Sequence, residues 1–193
     1  MIGKIRKGRS FGGCIRYVTQ KGDAKIIASE GVLLGTAEEM AQSFRWQCLL
    51  NPDVAKPVGH IALSFKPEDA PRLTDAFMTR LAGEYLELMG IRNTQFIVVR
   101  HHGTDNPHCH IVFNRVDFDG KVISDSNDFR RNERVTKMLK DKYSLTYSEG
   151  KQAVKTEKLH ASERVKYEIY RAVKEALRSA DTVSYTHLRA HET

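Results

Sequence analysis

Four of the chain's eight histidines fall within ten residues. They are His101, His102, His108 and His110, in the stretch R-H-H-G-T-D-N-P-H-C-H-I-V-F-N-R that runs from Arg100 to Arg115. On a strand, residues i and i+2 share a face, so His108 and His110 point the same way. Cys109, Ile111 and Phe113 then take the other face, an apolar set suited to a core. The turn formers at 103–107 can fold the preceding strand alongside, which brings His101 or His102 next to the pair. Three neutral imidazoles converging on a sheet surface make an open metal site. They leave a divalent charge uncompensated, so the ion can polarise a phosphoryl or carbonyl oxygen as a Lewis acid. A single H-x-H is more often a polar sheet face, but four histidines this close favour the metal. His60 lies elsewhere and reads as surface or as support behind the ligands; His160 reads as helix surface.

A nucleophile candidate sits in the most basic stretch. Tyr17 ends the block G-R-S-F-G-G-C-I-R-Y. A tyrosine hydroxyl, with a pKa of about 10, attacks poorly unless a metal, cation or base assists it, yet it can form a covalent phosphoester. The competing reading is that Ile15, Tyr17 and Val18 only pack a short helix.

The charge is unevenly placed. The net charge is +7, and residues 1–25 hold seven Lys/Arg against one acidic residue. Residues 26–120 hold eight basic and twelve acidic groups, and residues 121–182 fifteen and ten. A basic N-terminal strip on a basic chain points to a polyanion partner, against the plainer reading of a solvated surface.

The elements that must hold these residues can be read coarsely. A strand is expected at 2–5, then a helix over 12–19 with Ser10 as its N-cap. A strand follows at 25–28, and Thr36-x-x-Glu39 opens a helix as a capping box. A strand at 58–65 precedes a helix that begins at Pro71 and carries Leu73, Phe77, Leu81, Tyr85 and Leu88 to a cap at Gly90. Strands at 95–101 and 108–116 form an antiparallel pair, and Asp119-Gly120 marks a turn. Basic amphipathic helices are expected at 127–143 and 162–179. Strands and helices mixed without strict alternation give an α+β class.

The 193 residues make one domain or slightly more. No apolar run reaches the ~18 residues of a membrane span, and the N-terminal stretch lacks the apolar core of a secretory signal. Cys14, Cys48 and Cys109 lie too far apart for a disulfide framework or a cysteine zinc site, which fits a reducing, cytoplasmic setting. The last eleven residues, V-S-Y-T-H-L-R-A-H-E-T, resemble the conceptual translation of a sequencing-library adapter. They are set aside with His187 and His191, so the natural chain is expected to have continued beyond about residue 182.

Three blocks, in order, resemble the N-terminal nuclease domain of conjugative relaxases, the MobA-like mobilisation branch of the HUH endonucleases. They are G-R-S-F-G-G-C-I-R-Y, ending at Tyr17; G-H-I-A-L-S-F-K-P-E-D around Ser64; and H-H-G-T-D-N-P-H-C-H-I-V-F-N-R. The resemblance implies Tyr17 as nucleophile and selects His101, seven residues before His108, as the third ligand. It implies a central antiparallel sheet, largely of five strands, flanked by helices, with the histidine face open for DNA. The domain would span 1–145, with a helical extension over 146–182. Many members carry an acidic residue where this chain has Gly103, so Asp105, with Asn106 and His102, becomes the candidate for orienting a ligand imidazole.

The implied activity is nicking of single-stranded DNA at the transfer origin of a bacterial plasmid or mobile element. It would proceed through a 5′-phosphotyrosine link and start conjugative mobilisation. One divalent ion is expected, Mn²⁺ or Mg²⁺; imidazole ligands favour Mn²⁺, Zn²⁺, Co²⁺ or Ni²⁺ over Mg²⁺. Lys4, Arg6, Lys7, Arg9 and Arg16 are expected to clamp the DNA backbone, with Ser64, Arg115, Arg130, Arg131 and Arg134 assisting. Accessory mobilisation and coupling proteins are the expected protein partners. Rolling-circle replication initiators and single-strand transposases share the chemistry but place the tyrosine after the histidines, where this chain has Tyr143, Tyr147, Tyr167 and Tyr170. A non-catalytic DNA-binding module and a hydrolase using activated water are the remaining alternatives.

Overall fold

The computed structural model of the protein describes residues 1–20, 22–147 and 161–179. Lys21, most of the extension before Ala161, and the tail 183–193 lie outside them. The chain divides into two compact units, Met1–Ser148 and Glu149–Thr193.

The first unit is an antiparallel five-stranded sheet with helices on both faces, the α+β architecture expected. Its elements are β1 (Ile2–Gly8), α1 (Phe11–Thr19), β2 (Ala24–Glu30), α2 (Ala37–Cys48), β3 (Val58–Ser64), α3 (Asp75–Leu88), β4 (Phe96–His101), β5 (His108–Asn114) and α4 (Asp128–Tyr143). The strand order is β1-β3-β5-β4-β2, and every pairing is antiparallel. In the second unit the described residues form one helix, α5 (Ala161–Ser179). None of the described helices is long and apolar enough to cross a membrane.

The two faces of the sheet bury different residues because strand side chains alternate. Ile61, Leu63, Val98, Cys109, Ile111 and Phe113 pack under α3 and α4, against Leu81, Tyr85, Val135 and Leu139. Val58, Ile97, Val99 and Val112 pack under α1 and α2, against Ile15, Val18, Met40 and Phe44. This second face also carries the histidines. It is therefore covered over part of its length by α1 and α2, not left open throughout, and a cleft beside β1 exposes His60, His108 and His110. Gly59 allows the central strands to meet the core: a Cβ there would collide with the ring of Phe113.

Local signals set the helix starts. Ser10 Oγ accepts from Gly13 N–H at 3.2 Å and caps α1. Thr36 and Glu39 form the expected capping box, with Glu39 N to Thr36 Oγ1 at 3.3 Å and Thr36 N to Glu39 Oε2 at 2.7 Å. The start expected at Pro71 is corrected. Pro71 lies inside a 3₁₀ turn, Pro67–Arg72, and α3 begins only at Asp75. Thr74 supplies the side-chain cap, accepting from Phe77 N–H at 3.2 Å, which a proline cannot do. Leu73, expected on the apolar stripe, precedes the helix, and Leu88 is exposed; Met78, Ala82 and Leu86 complete the buried face.

Candidate metal and nucleic-acid site

Register places the histidines. His101 of β4 pairs directly with His108 of β5, and Ser64 of β3 pairs with His108 from the other side. One ring nitrogen each from His101, His108 and His110 lies within 4.8 Å of the others. His102, just past the end of β4, is exposed and outside this group.

Each of the three imidazoles is fixed from behind. His101 Nε2 donates to the carbonyl oxygen of Val18 at 2.8 Å, which leaves Nδ1 toward His108 Nε2, 3.1 Å away. His108 Nδ1 lies 3.0 Å from the carbonyl of Asn106 and 3.2 Å from Thr104 Oγ1. His110 Nδ1 lies 2.9 Å from His60 Nε2. Ligand imidazoles need such partners to fix tautomer and orientation. Backbone carbonyls and a histidine fill that role here. Asp105 lines the cleft without a hydrogen bond to His101 or His108, and Asn106 acts through its backbone oxygen. Gly103 adopts φ +57°, a left-handed turn conformation natural to glycine, and the Asp23 carboxylate lies 3.1 Å from where a Cβ would stand.

Tyr17 stands over the cluster. It is 60 % exposed while its neighbours Ile15 and Val18 are fully buried, so its ring is no part of the core. Its centroid is 5.8 Å from that of His110 and 6.0 Å from that of His60, both edge-on. The cleft beneath it encloses about 710 Å³ and is lined also by Lys4, Arg6, Ser10, Ser64 and Thr104. Cys14, one turn before Tyr17, faces the cleft with its thiol pushed up to about 11 by burial; it stays protonated at neutral pH and is no rival nucleophile.

Residues 17–145 match the model of the MobA/VirD2-like relaxase nuclease domain. The chain belongs to this relaxase family. No curated protein sequence matches it. The family match begins at the tyrosine that stands over the imidazoles and ends just beyond α4, so it takes in every histidine of the cluster.

The basic residues expected around this relaxase domain's cleft divide. Lys4 and Arg6 alternate out of β1 into the cleft, and Arg16 and Arg9 are exposed nearby in sequence. Arg16 also approaches Glu38 at 3.8 Å. Lys7 bonds Asp128 at 2.6 Å and Asp125 at 3.1 Å. Arg115 is buried, pairs with Asp125 at 3.2 Å and donates to the carbonyl of Lys56. Arg131 donates to the carbonyl of Ser124 at 2.8 Å. Lys7 and Arg115 are thus paired with carboxylates within the protein and Arg131 is tied to a carbonyl, while Arg130 and Arg134 are exposed on α4. None of the three α4 arginines lines the cleft.

His60, left open in the sequence between surface and support behind the ligands, lies against His110. It pairs across the sheet with Arg6, and burial, then the Arg6 charge, hold its imidazole below the usual histidine range. Its even spacing from Ser64 on one strand was the available signal: both must share a face.

Proposed function

We propose that this domain nicks single-stranded DNA at a transfer origin through a covalent tyrosine link and so initiates conjugative mobilisation. The observation that carries the reading is the position of Tyr17, exposed and edge-on to His110 in a cleft that also holds Lys4 and Arg6. The three imidazoles suit a metal: neutral nitrogen donors, close together, each with its second nitrogen tied down. When bound, a divalent ion, Mn²⁺ or Mg²⁺, supplies Lewis-acid polarisation of a phosphoryl oxygen.

The residues of the chain do the rest. Lys4 and Arg6 hold the DNA backbone as salt-sensitive phosphate contacts. Tyr17 Oη attacks the scissile phosphorus and its hydroxyl proton is released. The P–O3′ bond breaks, and the departing 3′ oxygen takes up a proton. The products are a 5′-phosphotyrosine link and a free 3′-OH. One ester is exchanged for another, so the strand can be rejoined by the reverse reaction.

The replication-initiator alternative needs a downstream nucleophile. Tyr143 donates to Glu84 at 2.5 Å, on the face of the sheet away from the histidines, and the Tyr147 hydroxyl bonds Asp141. Both observations favour Tyr17.

The test uses end-labelled single-stranded oligonucleotides from the transfer-origin region, with Mn²⁺, Mg²⁺ or chelator, on denaturing gels. A metal-dependent protein–DNA adduct that disappears in Tyr17→Phe is expected. Cleavage without an adduct in Tyr17→Phe would point instead to activated water, and an adduct that survives would move the nucleophile downstream. DNA binding without cleavage by the wild type would leave the non-catalytic module.

A further inference from the structure

We propose that His60 is a positioning residue of this centre. It accepts the Nδ1 hydrogen of His110 and thereby directs Nε2 of His110 to the metal. The inference rests on the reading of His101, His108 and His110 as ligands.

Two of the three ligands have tautomers fixed by carbonyl oxygens. A carbonyl oxygen can only accept, so the nitrogens facing Val18 and Asn106 must carry hydrogens. His101 therefore offers Nδ1, and His108 offers Nε2. On the third ligand the far nitrogen faces a histidine. His110 Nδ1 meets His60 Nε2 at 2.9 Å, with the rings tilted by 32°. Between two neutral imidazoles one nitrogen donates and the other accepts. A ligand bound through Nε2 keeps its hydrogen on Nδ1, so His110 donates, His60 accepts through Nε2, and His60 carries its own hydrogen on Nδ1. All three ligands then follow one scheme, with His60 as the acceptor that a carboxylate or carbonyl usually provides.

The sheet makes this contact unavoidable. His60 and His110 project from the same face of the adjacent strands β3 and β5. His110 pairs with Ala62, so His60 is its diagonal neighbour, within reach of a long side chain. The edge contact with Tyr17 adds a second link, so the same ring borders both the ligand and the tyrosine.

The test compares wild type, His60→Gln and His60→Leu as full chains. Long-range ¹H–¹⁵N spectra of the metal-free protein should show His110 as the Nδ1–H tautomer in wild type. Calorimetric Mn²⁺ titration should show roughly 10–100-fold weaker binding in His60→Leu. His60→Gln, whose amide oxygen also accepts, should recover most of that loss. An Nε2–H tautomer of His110 in wild type, unchanged Mn²⁺ affinity in His60→Leu, or equal losses in the two variants would each overturn the proposal. Melting curves read the fold separately; if His60→Leu does not fold, the wild-type tautomer and His60→Gln decide. A wild type that binds no Mn²⁺ would sink the metal reading, while the His110 tautomer would still decide the role of His60.

Discussion

The ring of His101 donates from Nε2 to the carbonyl oxygen of Val18, 2.8 Å away. Val18 follows Tyr17 in the last turn of α1, where carbonyls lack partners inside the helix. One helix end therefore presents Tyr17 and fixes the imidazole of His101. The chemistry of the site and the seating of α1 on the sheet are coupled through this single bond.

Metal binding should accordingly stabilise the domain. With Mn²⁺ at a hundred times its Kd, the expected gain is about 2.7 kcal/mol, read as a rise in melting temperature. Chelator should abolish it. His108→Ala, which removes a proposed ligand but leaves the Val18 bond in place, should melt at the same temperature with and without Mn²⁺.

Salt dependence should separate the basic residues. Each single-strand phosphate neutralised contributes about 0.7 to the slope of log affinity against log salt. Lys4→Gln and Arg6→Gln should each lower the slope by about that amount, because both side chains reach the cleft. Lys7 also borders the cleft, but Asp125 and the buried Asp128 hold its charge, so Lys7→Gln should leave the slope nearly unchanged and lower stability. Fluorescence anisotropy at several salt concentrations, with melts of the same proteins, checks both halves.

Asp75 should shape the acid limb of stability. Its hydrogen bond from Lys25, then that from Arg100, hold its carboxyl below the usual value of 3.8. A carboxyl depressed in the folded state adds stability that is complete above its unfolded pKa and is lost as pH falls through the folded value. Wild type should therefore lose this increment below about pH 4. Asp75→Asn should be less stable at pH 7 and show a shallower decline in that window. Urea melts between pH 2 and 7 measure it.

What the sequence made legible was local. The H-x-H alternation has period two and needs only a strand to put both rings on one face. Ser10 and Thr36 announce helix starts through side chains that act within three residues. Tyr17 stood out by its basic surroundings, and its exposure separates it from Ile15 and Val18. What stayed hidden was tertiary. His60 meets His110 only because β3 lies beside β5, a pairing set by the whole sheet order. Lys7 meets Asp125 and Asp128 across more than a hundred residues of chain, so a basic strip in sequence overstated the charge free for DNA. Gly103, where the family often has an acid, left open what orients the imidazoles; carbonyls placed by α1 and the 102–107 turn do so for two of them.

Gly59 offers a test of the sheet core beneath the site. The ring of Phe113 occupies the space a Cβ would need, and β3 and β5 flank each other at this pair. Gly59→Ala should displace that ring and destabilise the domain by roughly 1–3 kcal/mol, the usual cost of overpacking. Phe113→Leu alone should also destabilise, by loss of buried ring contacts in the α3–α4 core. The two changes touch the same space, so their effects should not add: the double variant should be more stable than the sum of the single losses allows. Chemical denaturation of the four proteins reads this coupling. Strict additivity would mean that Phe113 does not set the requirement for glycine, and that the two strands accommodate a side chain at position 59 in another way.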